Sequence, residues 1–235
     1  MGISFREYSP CRQGLQENGG AEICKYNCVG AGSVRMKKEQ FSDYLEKSKY
    51  IDFAHPAVQQ KAQELRNISS TEIELLQSTY YFVRDEIRHS WDAQDKRVTV
   101  SASDVLREGV GICWAKCNLL AALLRANGIP CGFSHQRLTL GDTPDTGYCI
   151  HSLNTVYVSA LDRWIRLDAR GNTDKIRAEF SLEEEILAFH VIPENDEYDY
   201  HDNLPRPVEA LMKVLEESTD ALYMYQYCLP GRIEE

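Results

Sequence analysis

The chain of 235 residues has no apolar run approaching the roughly 18 residues that cross a bilayer. Its opening, MGISFREYSP, lacks the apolar core of a secretory signal, and Arg6 stands where a myristoylation signal calls for Ser or Thr. Basic residues are in deficit: 26 Lys and Arg face 36 Asp and Glu, a formal net charge of −10. Nucleic acid and anionic lipid repel such a polyanion unless a local basic patch overrides the field, and the densest cluster, Arg35-Met36-Lys37-Lys38, is short. The expectation is a cytoplasmic protein with neither nucleic acid nor membrane as partner. No C-x-x-C pair occurs among the eight cysteines. Cys24 and Cys28, with Cys11 upstream, do not have a standard zinc spacing, and neither do Cys113 and Cys117, so no metal and no cofactor is expected. In a reducing compartment such thiols are buried or catalytic rather than paired.

What is present is uneven along the chain. Residues 1–40 are rich in Gly, Asn, Cys and Gln without periodicity, and read as an irregular N-terminal extension. Residues 41–235 read as one domain. A short helix is expected near 38–47, and a second starts at Pro56, a favoured first-turn residue, and ends before Ile68. A third opens at Ser70 or Thr71 with Glu74 as capping partner, and its stripe Ile73, Leu76, Tyr80, Val83, Ile87 has the spacing of one buried face. A polar linker, Trp91 to Thr99, and a short helical turn at Ser101–Leu106 lead to a glycine-punctuated stretch.

Residues 109–130, GVGICWAKCNLLAALLRANGIP, begin a strong helix on a cysteine. A helix mouth presents unpaired N–H groups and about half a positive charge, which favours thiolate over thiol at Cys113. Holding a thiol ionised at neutral pH takes about 2.7 kcal/mol, and the dipole usually supplies under about 1 kcal/mol, so a partner cation is required and histidine is the natural choice. Cys117, one turn deeper, is assigned to packing. Gly109 and Gly111 allow a tight turn into the helix and a close approach of a substrate carbonyl, with the Cys113 N–H aimed at the developing oxyanion.

After Pro130 the period changes to that of strands: Cys131–Leu138, Tyr148–Val158 and Arg163–Asp168. Helices followed by strands indicate an α+β fold with an antiparallel sheet. If the turn after Val158 takes two residues or four, His151 faces Asp168 directly or diagonally, giving a pair that fixes the imidazole tautomer and stabilises its cation. An acidic loop, Glu194–Asp202, read as readily as a solvated face as a binding site, and a tail helix from Pro207 to about Tyr227 complete the reading.

GVGICWAKCNLLAALLRANGIPCGF, YCIHSLNTVY and RWIRLDARGN together resemble the transglutaminase-like superfamily, a branch of papain-like thiol enzymes. The likeness covers about Tyr44 to Asn172, and the weaker Phe180–Tyr200 segment and tail helix resemble stand-alone bacterial members. It implies a papain-like α+β fold with the Cys-bearing helix packed on an antiparallel sheet, Cys113 as nucleophile, His151 as base and Asp168 as its orienter. Many members read His-Ala-Trp where this chain has His151-Ser152-Leu153. His89, Trp91 and Gln136 are candidates for a side-chain oxyanion donor, and Trp114 for a cleft wall. The calcium dependence of eukaryotic transglutaminases finds no EF-hand-like spacing here. The reaction implied is acyl transfer through a thioester on a protein, peptide or small amide. Hydrolysis, by a cysteine protease or amidase, is favoured over amine crosslinking, and a non-catalytic binding module on the same fold is the alternative.

Overall fold

The structure, a computed structural model, describes residues 41–141 and 143–233. The expectations for residues 1–40, including Cys11, Cys24 and Cys28, lie outside the described residues. Helix α1 (Pro56–Asn67) starts as its proline predicts, with the His55 side chain accepting from the Ala57 N–H. Helix α2 (Glu72–Tyr81) uses both offered caps: Thr71 accepts from the Glu74 N–H, and the Glu74 carboxylate reaches back to the Ser70 N–H at 2.7 Å. It widens into a π-turn at Phe82–Glu86, and Leu76, Tyr80, Val83 and Ile87 are buried as their spacing predicts, while Ile73 is half-buried.

The short strand β1 (Arg88–His89) leads through the linker to α3 (Ala102–Glu108), opened by a reciprocal Ser101/Asp104 capping box and ended by Gly109 at φ 64°. Strand β2 (Val110–Gly111) pairs in parallel with β1, and α4 (Cys113–Ala126) follows at once. Every residue of α4 from Cys113 to Arg125 is buried, the pattern of a helix packed on all sides. It contacts α1, α2 and α3 as well as the sheet.

The antiparallel sheet has β3 (Cys131–Thr139), β4 (Tyr148–Val158), β5 (Arg163–Leu167) and the two-residue β6 (Tyr198–Asp199) in the order β5-β4-β3-β6. The pairing of Val158 with Arg163 closes the β4–β5 hairpin over four residues, Ser159 to Asp162. Helices α5 (Glu209–Glu217) and α6 (Ala221–Tyr227) follow. This is the α+β architecture expected from the order of periods, with helices packed on an antiparallel sheet.

Four local expectations change. Of the helix expected near 38–47, the described residues hold a 3-10 turn at Asp43–Leu45 and no α-helix; the Ser48 hydroxyl then captures the N–H groups of Tyr50 and Ile51, while Phe41 and Tyr44 pack on Tyr157 and Trp164. Strand β5 stops at Leu167, so Asp168 is the first residue past it. The tail helix is two helices, because Asp220 caps a new start by accepting from the N–H groups of Leu222 and Tyr223. The acidic loop is a solvated face only at Glu194 and Asp196. Glu197 is buried and accepts from Thr139, Asp199 pairs with Arg166, and Asp202 accepts from the backbone N–H of His135 and pairs with its ring.

Candidate active site

The turn into α4 sets the position of Cys113. A Cβ on Gly111 would stand 3.0 Å from Thr99 Oγ1 and 3.3 Å from Ala115 Cβ, so this glycine lets β2 pack against the start of α4. Its requirement is packing rather than the substrate approach anticipated above, since Gly111 does not line the cleft. Ile112 gives α4 no side-chain cap, and Cys113, 8% exposed, opens onto a cleft of about 920 Å³.

His151 lies on the part of β4 that β5 leaves uncovered, since their pairing runs only from Asn154 to Val158. Continuing the hairpin register places Asp168 opposite Leu153 and diagonal to His151, the four-residue-turn alternative. His151 Nε2 is 2.8 Å from Asp168 Oδ2, and Cys113 lies near enough to the imidazole to favour its charged form. Burial disfavours the imidazolium, but the Asp168 carboxylate and Cys113 outweigh it and carry the pKa of His151 up to about 10. Burial acts on Asp168 in the opposite sense, yet His151 and the backbone N–H groups of Ala188 and Arg170 hold its carboxyl below the usual range. Burial pushes the thiol of Cys117 well up and that of Cys131 up to about 12.

Long-range hydrogen bonds fix this geometry. Trp114 Nε1 donates to the Ile150 carbonyl at 2.8 Å, tying the residue after Cys113 to the residue before His151. Tyr80 donates its hydroxyl to the Asp168 carbonyl. Lys116, 1% exposed, donates to the carbonyls of Arg84, Ile87 and Arg170 at 3.2, 2.6 and 2.7 Å, joining α4, the π-turn and the segment after Asp168. Burial, with the nearby Arg170 charge, brings the Lys116 pKa down to about 7.

The structure sorts the predicted donors. Trp91 lines the cleft and stacks on Tyr225, with ring centroids 4.8 Å apart. Trp114 also lines it, but its N–H is committed to Ile150. Gln136 is not in the cleft; β3 pairs it with β6, and its amide donates to Asp199. His89 lines the cleft, and burial together with Arg170 holds its pKa well below the usual imidazole range, so the ring is neutral. Sequence reasoning missed Arg170, which grips Asp92 through two bonds of 2.7 and 3.0 Å, and Phe189, whose ring meets His151 edge-on at 5.0 Å. It also missed Tyr225 as a cleft wall. The two-residue spacing from Asp168 was the available signal for Arg170; nothing local marked Phe189 or Tyr225.

Residues 59–169 match the family model of the transglutaminase-like superfamily, so the resemblance read from the motifs holds over the segment that carries Cys113, His151 and Asp168. No curated protein matches the chain. Among solved structures, a cysteine protease candidate from Cytophaga hutchinsonii is 20% identical with a TM-score of 0.46, the match covering 57% of this chain and 43% of that one. The periplasmic domain of TgpA from Pseudomonas aeruginosa is 18% identical with a TM-score of 0.45, covering 58% of this chain and 48% of that one. The chain thus spans less than half the length of either protein.

Proposed function

We propose, on the premise that residues 59–169 form a transglutaminase-like core, that the protein is a cysteine-dependent acyl-transfer enzyme acting through a thioester on Cys113, with water as the resolving nucleophile. One observation carries the reading: His151, held by Asp168 at 2.8 Å, shares with Cys113 the wall of a cleft large enough for a substrate, and Cys113 helps to favour its charged form. In the acylation step the Cys113 sulfur bonds to the carbonyl carbon of an amide or ester. The carbon–nitrogen or carbon–oxygen bond breaks, and the departing amine or alcohol takes the proton from the His151 imidazolium. In the second step His151 takes a proton from water as the water oxygen bonds to the thioester carbon. The carbon–sulfur bond breaks, the acid is released, and the Cys113 thiolate again faces the protonated His151. Asp168 keeps the imidazole in one orientation and balances its charge.

Cys113 and His151 are 8% and 4% exposed, an access that suits water better than a lysine carried on a second folded protein, and this supports hydrolysis over crosslinking. The described cysteines are all free, which supports a reducing compartment and hence the cytoplasm. No helix among the described residues is long and apolar enough to cross a membrane. The test is iodoacetamide labelling near pH 6 with the modified peptides mapped over time. Cys113 should be alkylated first, ahead of the exposed Cys228 and the half-buried Cys149; faster labelling of either one would remove Cys113 as nucleophile.

A further inference from the structure

The cleft is walled by the chain's own tail. The tail is pinned at one end where the Ala221 N–H donates to the Lys96 carbonyl at 2.9 Å and Asp220 pairs with Lys96 at 3.3 Å. At the other end Arg137 of β3 donates to the Gly231 carbonyl at 2.8 Å, and the Ile233 N–H donates to the Tyr200 hydroxyl at 3.0 Å. Between these anchors Tyr225 and Leu229 line the cleft, so the tail runs from the loop after β1 across to β3. A protease that cuts within an extended chain needs a groove through which that chain can pass on both sides of the nucleophile. Here a pinned strap forms a wall, and the reacting groups lie deep, with Cys113, His151 and Asp168 at 8%, 4% and 1% exposure.

Leu138, Leu140, Leu187 and Ile192 are apolar walls of the same space as Leu229. A cavity of about 920 Å³ with such walls lies within the size range of small-molecule sites, and it rewards burial of a hydrocarbon body rather than hydrogen bonding to a peptide backbone. We infer that the cleft takes compact amides or esters of an apolar acyl group, and not the internal bonds of an extended polypeptide, with the tail wall of Tyr225 and Leu229 setting that choice. This rests on the acyl-transfer reading of Cys113.

The test uses the full chain and a series of p-nitrophenyl esters from acetyl to octanoyl, kept below their micelle concentrations, with the Cys113→Ala rate subtracted. Alongside runs an internally quenched decapeptide blocked at both ends. The second-order rate constant should rise roughly threefold to fourfold for each added methylene until the cavity is filled. The decapeptide should remain uncleaved, and Leu229→Ser should reduce the octanoyl-to-acetyl ratio by about tenfold or more, the loss of several buried methylene contacts. A Cys113-dependent rate that is flat along the series, a ratio unmoved by Leu229→Ser, or efficient decapeptide cleavage would overturn the substrate class and leave the thioester reading standing. Absence of any Cys113-dependent turnover, of esters and peptide alike, would sink both.

Discussion

At the scale of single residues the account turns on a proton held between Asp168 and Cys113. The unfolded chain's histidine titrates near 6.5, and in the fold the pKa of His151 is raised to about 10. Its proton is therefore bound more tightly in the folded protein, and the resulting stabilisation is complete below pH 6.5 and is lost as pH rises through about 10. Asp168→Asn removes the counter-charge while keeping the shape. Near pH 6.5 it should cost about 3 kcal/mol in urea unfolding, in line with breaking a buried ion pair. The gap between wild type and variant should narrow as pH approaches 10, and a gap constant across that window would show that His151 is not charged in the fold. Gln136 marks the limit of residue-level reading. Its number and type suited an oxyanion donor, but β3 lies between β4 and β6, and the register gives its amide to Asp199.

At the scale of elements, α4 and β4 must meet in one register for Cys113 to reach His151, and the Trp114 bond to Ile150 holds them there. Trp114→Phe keeps the ring but leaves a carbonyl without its donor, which costs about 1–3 kcal/mol. Because sub-ångström placement matters to reaction, kcat should fall by about tenfold or more while KM moves little. A variant that loses stability yet keeps the wild-type kcat would confine Trp114 to packing. Lys116→Met should be costlier to the fold, about 3 kcal/mol or more by urea titration, since three carbonyls lose one shared ammonium donor. Equal stability of that variant and the wild type would show that these bonds add nothing net. The helices were legible because each carries its own signals, such as the Thr71/Glu74 cap or the stripe through Ile87. The break between α5 and α6 was harder to see, because the apolar period runs on past Ser218 while Asp220 restarts the helix.

At the scale of the whole molecule, the change from helical to strand period after Pro130 was enough to predict an antiparallel sheet, and the hairpin turn limited where His151 and Asp168 could lie. Two turn lengths were open to sequence reasoning; pairing of Val158 with Arg163 selects four residues. What stayed hidden depends on contacts between distant segments. Glu197, Asp199 and Asp202 look like a solvated acidic run until β3 and β5 supply Thr139, His135 and Arg166 as partners. The tail's place beside Cys113 likewise follows from anchors at Lys96 and Arg137, which no local period announces. The central claim is that this assembly makes Cys113 an acyl carrier activated by His151. It is tested most directly by quenching the reaction with p-nitrophenyl octanoate in acid within milliseconds and locating the adduct by intact-mass and peptide mass spectrometry. The account predicts a single octanoyl group per chain, on Cys113, formed at least about a hundredfold more slowly in His151→Ala. An adduct on Cys149 or Cys228, or one that forms at the wild-type rate in His151→Ala, would contradict it.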